Sequence, residues 1–246
     1  MSALEWRDLE LGRKLRSGTA SAVHEARSGG QGLLVTLSAA HEPPAARSTY
    51  ELTFPGIAPL VWVGRPDGVT FGDALVEALP AGTAPAANLP ERALAALGAR
   101  LAEVVVPVHD AGVVLDGIQP ALIYLDSAQT FATLAPRGPR FIATARKGAS
   151  GIGAYGIPYL GHECLALGKP PGPASDVFAL CASLFVLATG RHPFGALDNL
   201  GEIMQRTLMD AREPLPGALG DVLASGLAPD PAARPTMREL SDLLRR

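Results

Sequence analysis

Residues 175–190, SDVFALCASLFVLATG, are the stretch around which the rest of the chain is organised. Apolar residues fall on almost every face of this run at helical spacing, so it reads as a helix buried all round. Ser175 is placed to cap its start, Asp176 puts a carboxylate in the first turn near the positive end of the helix dipole, and Gly190 supplies the stop. A carboxylate entering so apolar a helix needs hydrogen-bond donors from elsewhere in the chain. Other segments are therefore expected to fold over it.

The chain of 246 residues, 48% of them apolar, is long enough to bury a sizeable core in one large domain or two lobes. A net charge of −3 gives no reason to expect nucleic acid or a membrane surface as partner. The longest apolar stretch is too short to span a bilayer, and MSALEWRDLE at the start has neither a basic beginning nor an apolar run, so the expected location is the cytoplasm. Cys164 and Cys181 lie beside or within apolar segments and read as small core residues in a reducing compartment. His24, His41, His109, His162 and His192 are scattered without ligand spacing, and no metal or other cofactor is expected.

The flanks of the central run carry further pattern. Upstream is GIPYLGHE, residues 156–163; downstream come RHPFGA, 191–196, and LAPDPAARPTMRELSDLL, 227–244. In order and at nearly the right spacing, these segments resemble the C-terminal half of a bacterial-type (Hanks-type) Ser/Thr protein kinase. There the pattern runs Gly-Thr-Pro-x-Tyr-x-Ala-Pro-Glu, Ser-Asp-x-Tyr/Phe-x-Leu-Gly, Thr-Gly-x-x-Pro-Phe and Asp-Pro-x-x-Arg-Pro-Thr. Glu163, Asp176, Thr189, Gly190, Pro193, Phe194, Asp230, Pro231, Arg234, Pro235 and Thr236 match. The resemblance implies an α+β, bilobal protein kinase-like fold: a small, mostly β N-lobe over residues 1–79 with an eroded helix, and a larger, mostly α C-lobe over 80–246. It also implies a buried Glu163–Arg234 ion pair, and a bond from Asp176 to the backbone of the catalytic loop, as structural contacts.

Toward the N-terminus, Leu9 to Leu37 read as three strands joined by turns, with Val23 and Ala26 at the family's second-strand positions. A kinase's glycine-rich turn lets backbone amides approach nucleotide phosphates without a side chain between them. The corresponding three positions are Arg16, Gly18 and Ser21, a degenerate glycine loop. The third strand, GLLVTLS, lacks the family's lysine; the only lysines in the chain are Lys14, Lys147 and Lys169. Prolines at 43, 44 and 55 confine the next helix to a short or displaced piece carrying Glu51. Leu60–Val63 and Val69–Leu79 read as strands, and VEALPAGT, 76–83, resembles the interlobe hinge. Asn88 is placed to cap the long helix running from Glu91 to Gly112.

His109, Gly112 and Pro120 set the register of the segment that resembles the catalytic loop. The family's catalytic aspartate then falls on Gly117, its lysine on Gln119 and its metal-binding asparagine on Leu122. Asp116, one position away, reads as a turn residue. The metal aspartate falls at Ala135 or later, and no Asp or Glu occurs from Ser127 to His162, where a magnesium ion would need carboxylate oxygen. That stretch holds Arg137, Arg140, Arg146 and Lys147, a candidate surface for a phosphorylated or acidic partner.

These substitutions lead the sequence reading to a pseudokinase and not an enzyme: a scaffold, adaptor or allosteric regulator that binds a protein partner without Mg-ATP. One alternative is a small-molecule or nucleotide sensor using the interlobe cleft without metal, with Gly117, Leu122, Ile123 and Val76–Leu79 as its lining. A third is an atypical nucleotide-dependent transferase drawing on Glu51, Glu77, Asp110, Asp116 and Asp126.

Overall fold

Short runs bounded by the turn at Gly29-Gly30 fold as antiparallel strands, β1 (Glu10–Ser17), β2 (Ser21–Ser28) and β3 (Gln31–Ser38), the last with an unbroken buried run, Leu33 to Val35, that fills both faces. The structure is a computed structural model that describes residues 4–17, 21–38, 52–64, 74–115, 118–127, 132–134 and 157–246. Ser28 pairs with Gln31 across the two-residue turn Gly29-Gly30, both left-handed at φ 55° and 84°, the geometry that matches strand twist in a tight hairpin. β4 (Leu60–Gly64) and β5 (Ala74–Ala78) complete an antiparallel sheet of order β1-β2-β3-β5-β4. Of the strand expected over Val69–Leu79, Ala74–Ala78 is strand, and residues 69–73 lie outside the described residues. So do residues 39–51, where the eroded helix and Glu51 were expected.

The period of two decides what each sheet face buries. Leu33 and Val35 of β3 pack with Ala26 and Val76 beneath Trp6 and Trp62, whose ring centroids lie 6.0 Å apart. Leu34, on the other face, packs with Ala58, Leu15 and Tyr124 toward the second lobe.

That lobe contains α1 (Glu91–Asp110), the hairpin β6 (Ile123–Leu125) and β7 (Ala132–Leu134), then α2 (His162–Leu167), α3 (Pro173–Thr189), α4 (Leu200–Leu208), α5 (Ala218–Gly226) and α6 (Met237–Leu244). α3 is buried without interruption from Ser175 to Leu187, as its unbroken apolar pattern requires. α1 is amphipathic instead, burying Leu94, Leu97, Leu101, Val105 and Val108 against α3 and α6. The described residues thus form the bilobal, kinase-like α+β fold.

Two helix starts differ from expectation. α3 begins at Pro173 after Gly172, so Ser175 lies inside the first turn; its Oγ accepts from the Gly172 amide at 3.0 Å and is free to donate elsewhere. Proline suits that first position because its missing N–H would have no helical partner. Asn88 does not cap α1: it sits at φ 60°, its amide donates to the Leu187 carbonyl at 2.7 Å, and α1 starts after Pro90 without a side-chain cap. Tying the connection to the end of α3 outweighs the cap.

Backbone hydrogen bonds join the lobes. Thr83 and Leu125 exchange a pair at 3.0 and 2.8 Å, while Leu134 donates to Gly56 at 2.8 Å and accepts from Ala58 at 3.0 Å. Gly82, at φ 137°, passes so close to the Leu125 carbonyl that any Cβ would collide with it. These contacts set the floor of the interlobe cleft.

Candidate functional site

The loop after α1 is held by α3 on both sides. Asp176 is fully buried, and its Oδ2 accepts from the Leu115 amide at 2.8 Å and contacts Nε2 of His109 at 2.9 Å. Two turns further along α3, the buried Ser183 hydroxyl lies 3.2 Å from the Ile118 carbonyl, on the far side of the loop, and 2.7 Å from the Ala179 carbonyl. The carboxylate at the first turn grips the loop at Leu115, while the Ser183 hydroxyl, whose one proton is nearer the Ala179 carbonyl, lies against the loop at Ile118. The helix positions them because Asp176 and Ser183 are seven residues apart, two turns on one face.

The second cluster joins α2 to the chain before α6. Glu163, 5% exposed, and Arg234, 6% exposed, meet as a two-pronged pair with Nη2–Oε2 at 2.7 Å and Nη1–Oε1 at 2.9 Å. Ser175 donates to the same Oε1 at 2.8 Å. Arg234 also donates to the carbonyls of Ala228 at 2.8 Å and Ala174 at 2.9 Å, and its guanidinium lies 5.0 Å from the Phe178 ring centre. Burial alone pushes the Glu163 carboxyl up; the hydrogen bonds and charge of Arg234, with the Ser175 hydroxyl, outweigh it and hold the group below its usual value.

The third feature is the cleft itself. A cavity of about 360 Å³ is lined by Leu15 and Val23 from the sheet, Leu79, Pro80 and Gly82 from the connection, and Ala121 and Tyr124 from the loop and β6, with Arg13 and Glu25 at its mouth. Arg13 Nη2 bonds Glu25 Oε1 at 2.7 Å across β1 and β2, which raises the guanidinium pKa further. The lining differs from the expected one: Leu122 is buried at the end of a 3-10 turn, Val76 is buried in a cluster of the sheet, and Ile123 is buried in the main core because strand alternation turns Tyr124 and not Ile123 toward the cavity. Leu79 is the expected lining residue that is found there. On β3, Thr36 is 1% exposed and its Oγ1 has no partner among the described residues.

The remaining sequence-derived positions are dispersed. Arg16 pairs with Val23 in the β1–β2 ladder and Ser21 with Ser38 in the β2–β3 ladder. Gln119 precedes the turn of 3-10 helix at Pro120–Leu122. Gly18, Asp116 and Gly117, and the basic set Arg137, Arg140, Arg146 and Lys147, lie outside the described residues. Glu77 is buried in β5 and Asp110 bonds Arg238 at 3.1 Å at the far end of α1, so these two acids do not meet. Sequence reasoning read Ser175 as a cap and missed its bond to Glu163, and it missed Ser183 as a bonding group and Tyr124 as a cavity wall. A serine in an all-apolar helix was the available signal for Ser183, since a buried hydroxyl needs a partner.

No family model matches the chain. Among curated proteins it is 33% identical over 171 residues to serine/threonine-protein kinase PkaB of Streptomyces coelicolor, covering 63% of this chain and 39% of that protein. It is also 34% identical over 157 residues to the probable serine/threonine-protein kinase PkwA of Thermomonospora curvata, covering 60% of this chain and 20% of that protein. The matched segments are thus about two fifths and one fifth of these relatives' own lengths. Both similarities support a kinase-like family for this chain. They also correct the expectation that it is not an enzyme: the relatives are named as serine/threonine-protein kinases, which points to an enzyme. The sequence reading weighed individual positions and had no relative to set against them. No helix among the described residues is long and apolar enough to cross a membrane.

Proposed function

We propose that this chain is a kinase-like signalling domain that works by engaging a protein partner, as scaffold, adaptor or allosteric regulator. Residues 1–79 and 80–246 are its two lobes. The observation that carries this reading is the paired clamp on the C-lobe. Glu163, Ser175 and Arg234 lock α2 to the segment before α6, and Asp176 locks the loop to α3, through buried contacts that need no ligand in the cleft. A C-lobe held this way offers a partner a preformed surface, which lowers the ordering cost of association. Arg137, Arg140, Arg146 and Lys147 are the side chains proposed to meet phosphate or carboxylate groups on that partner.

The test begins with proteins co-purifying with the chain, each then titrated in pure form against wild type and against a variant with the four basic residues changed to Glu. A partner that binds the pure wild type and loses affinity for the variant supports the reading. Phosphate transfer from Mg-ATP to a protein substrate, with no partner held beyond turnover, overturns it in favour of the activity in the relatives' names.

A second reading rests on the cavity of about 360 Å³ between the lobes, which has the apolar walls and single aromatic face suited to a small planar ligand. Calorimetric titration with ATP, with and without magnesium, decides it. Heat without metal favours a sensor. Silence in both removes this reading.

A further inference from the structure

Among the described residues, the cavity of about 360 Å³ between the lobes is lined by no unpaired charge. Its two ionised groups, Arg13 and Glu25, stand together at the mouth and bond to each other at 2.7 Å. Leu15, Val23 and Ala121 make apolar walls, and Tyr124 adds a ring. A charged ligand would have to break the Arg13–Glu25 pair or set its charge against hydrocarbon, and a neutral ligand avoids both costs. The volume is at the low end for ligand cavities, room for one or two fused rings.

The connection between the lobes narrows the class further. A backbone unit ordinarily brings one donor and one acceptor. Leu79 already donates its N–H to the Gly32 carbonyl at 3.0 Å, and Pro80 has no N–H to give. These adjacent wall residues therefore present carbonyl oxygens without amides, and neither oxygen accepts a hydrogen bond from a described residue. A ring carrying an N–H or O–H can meet them, whereas one that only accepts cannot. We infer that the interlobe cavity recognises an uncharged, flat ligand of one or two rings that donates a hydrogen bond to the connection at Leu79 and Pro80. This rests on the cavity reading given above and narrows it, because the ring's donor selects the ligand and added charge works against it.

Indole, a small neutral two-ring donor, is the probe. Calorimetry on the whole chain should give it a dissociation constant of about 1 mM. 1-Methylindole has the same rings without the donor and should bind about three- to tenfold more weakly despite its extra methyl group. Indole-3-carboxylate keeps the donor and adds a charge, and should bind at least about tenfold more weakly. Ala121→Phe and Leu79→Phe, both at exposed positions, fill the cavity from the loop and from the connection. Each should abolish the indole heat, with its melting temperature reporting that it folds. Binding of 1-methylindole or of the carboxylate as tight as that of indole, or indole heat retained by a folded variant of either kind, overturns the inference. Heat from ATP with none from indole overturns it and leaves the cavity reading standing, whereas silence from both removes the two together.

Discussion

Replacing Arg234 with methionine isolates the energetics of the C-lobe clamp. Methionine keeps much of the apolar stem and its packing, so what disappears is the fork: two bonds to Glu163 at 2.7 and 2.9 Å and three to the carbonyls of Ala228, Ala174 and Pro229. Glu163 is left buried with the Ser175 hydroxyl as its remaining side-chain donor. An uncompensated buried carboxylate of this kind costs about 3–5 kcal/mol, a large share of a typical stability of about 5–15 kcal/mol. For a chain of this length that corresponds to a fall of about 10 °C in melting temperature. Urea unfolding of Arg234→Met, Glu163→Gln and the double variant measures it as a cycle. The double variant should recover part of the loss, since a neutral amide is cheaper to leave there than a charge. The Glu163 carboxyl is held below its ordinary value in the folded chain, so the pair's contribution is present above the unfolded value of 4.5 and lost as pH falls below it. A loss under about 1 kcal/mol for Arg234→Met would refute the reasoning, because it would equal that of an exposed ion pair.

His192 should make the fold acid-sensitive in a different window. It is fully buried with Nδ1 accepting from the Phe194 amide at 3.3 Å, and burial, partly offset by the Pro158 carbonyl, lowers its pKa from 6.5 to about 4. The unfolded chain takes up the proton first, so stability is complete above pH 6.5 and falls toward pH 4 by up to about 3 kcal/mol; His192→Asn should flatten the profile of urea midpoints in that interval. Burial pushes the Cys181 thiol up to about 12, so native protein at pH 8 should leave Cys181 unmodified by a disulfide reagent and expose it only on unfolding. Leu101, fully buried between helices, should lose about 2–5 kcal/mol as Leu101→Ala in the same urea assay.

Much of the fold was legible because its signals are local. The strand-turn-strand pattern from Leu9 to Leu37 and the all-round apolar pattern of α3 are properties of neighbouring residues. Helix starts were less legible. Ser175 and Asn88 have the chemistry of caps, but each is claimed by a partner far along the chain, Glu163 and the Leu187 backbone respectively. The candidate site was legible where ordered motifs imply a contact, as for Glu163 with Arg234. It was not where a side chain merely faces one way: Leu122 and Ile123 were expected in the cavity, and Tyr124 is there.

By itself the sequence determined that α3 is buried on every side, that its carboxylate must find donors, and that three strands begin the chain, because periodicity and desolvation act on whatever lies next in the chain. Only the tertiary structure decided which groups answer that carboxylate. His109 stands 67 residues and Leu115 61 residues from Asp176, and Arg234 stands 71 residues from Glu163. Contacts over such separations are chosen by how helices pack once the apolar faces are buried, and that choice is a property of the whole folded chain.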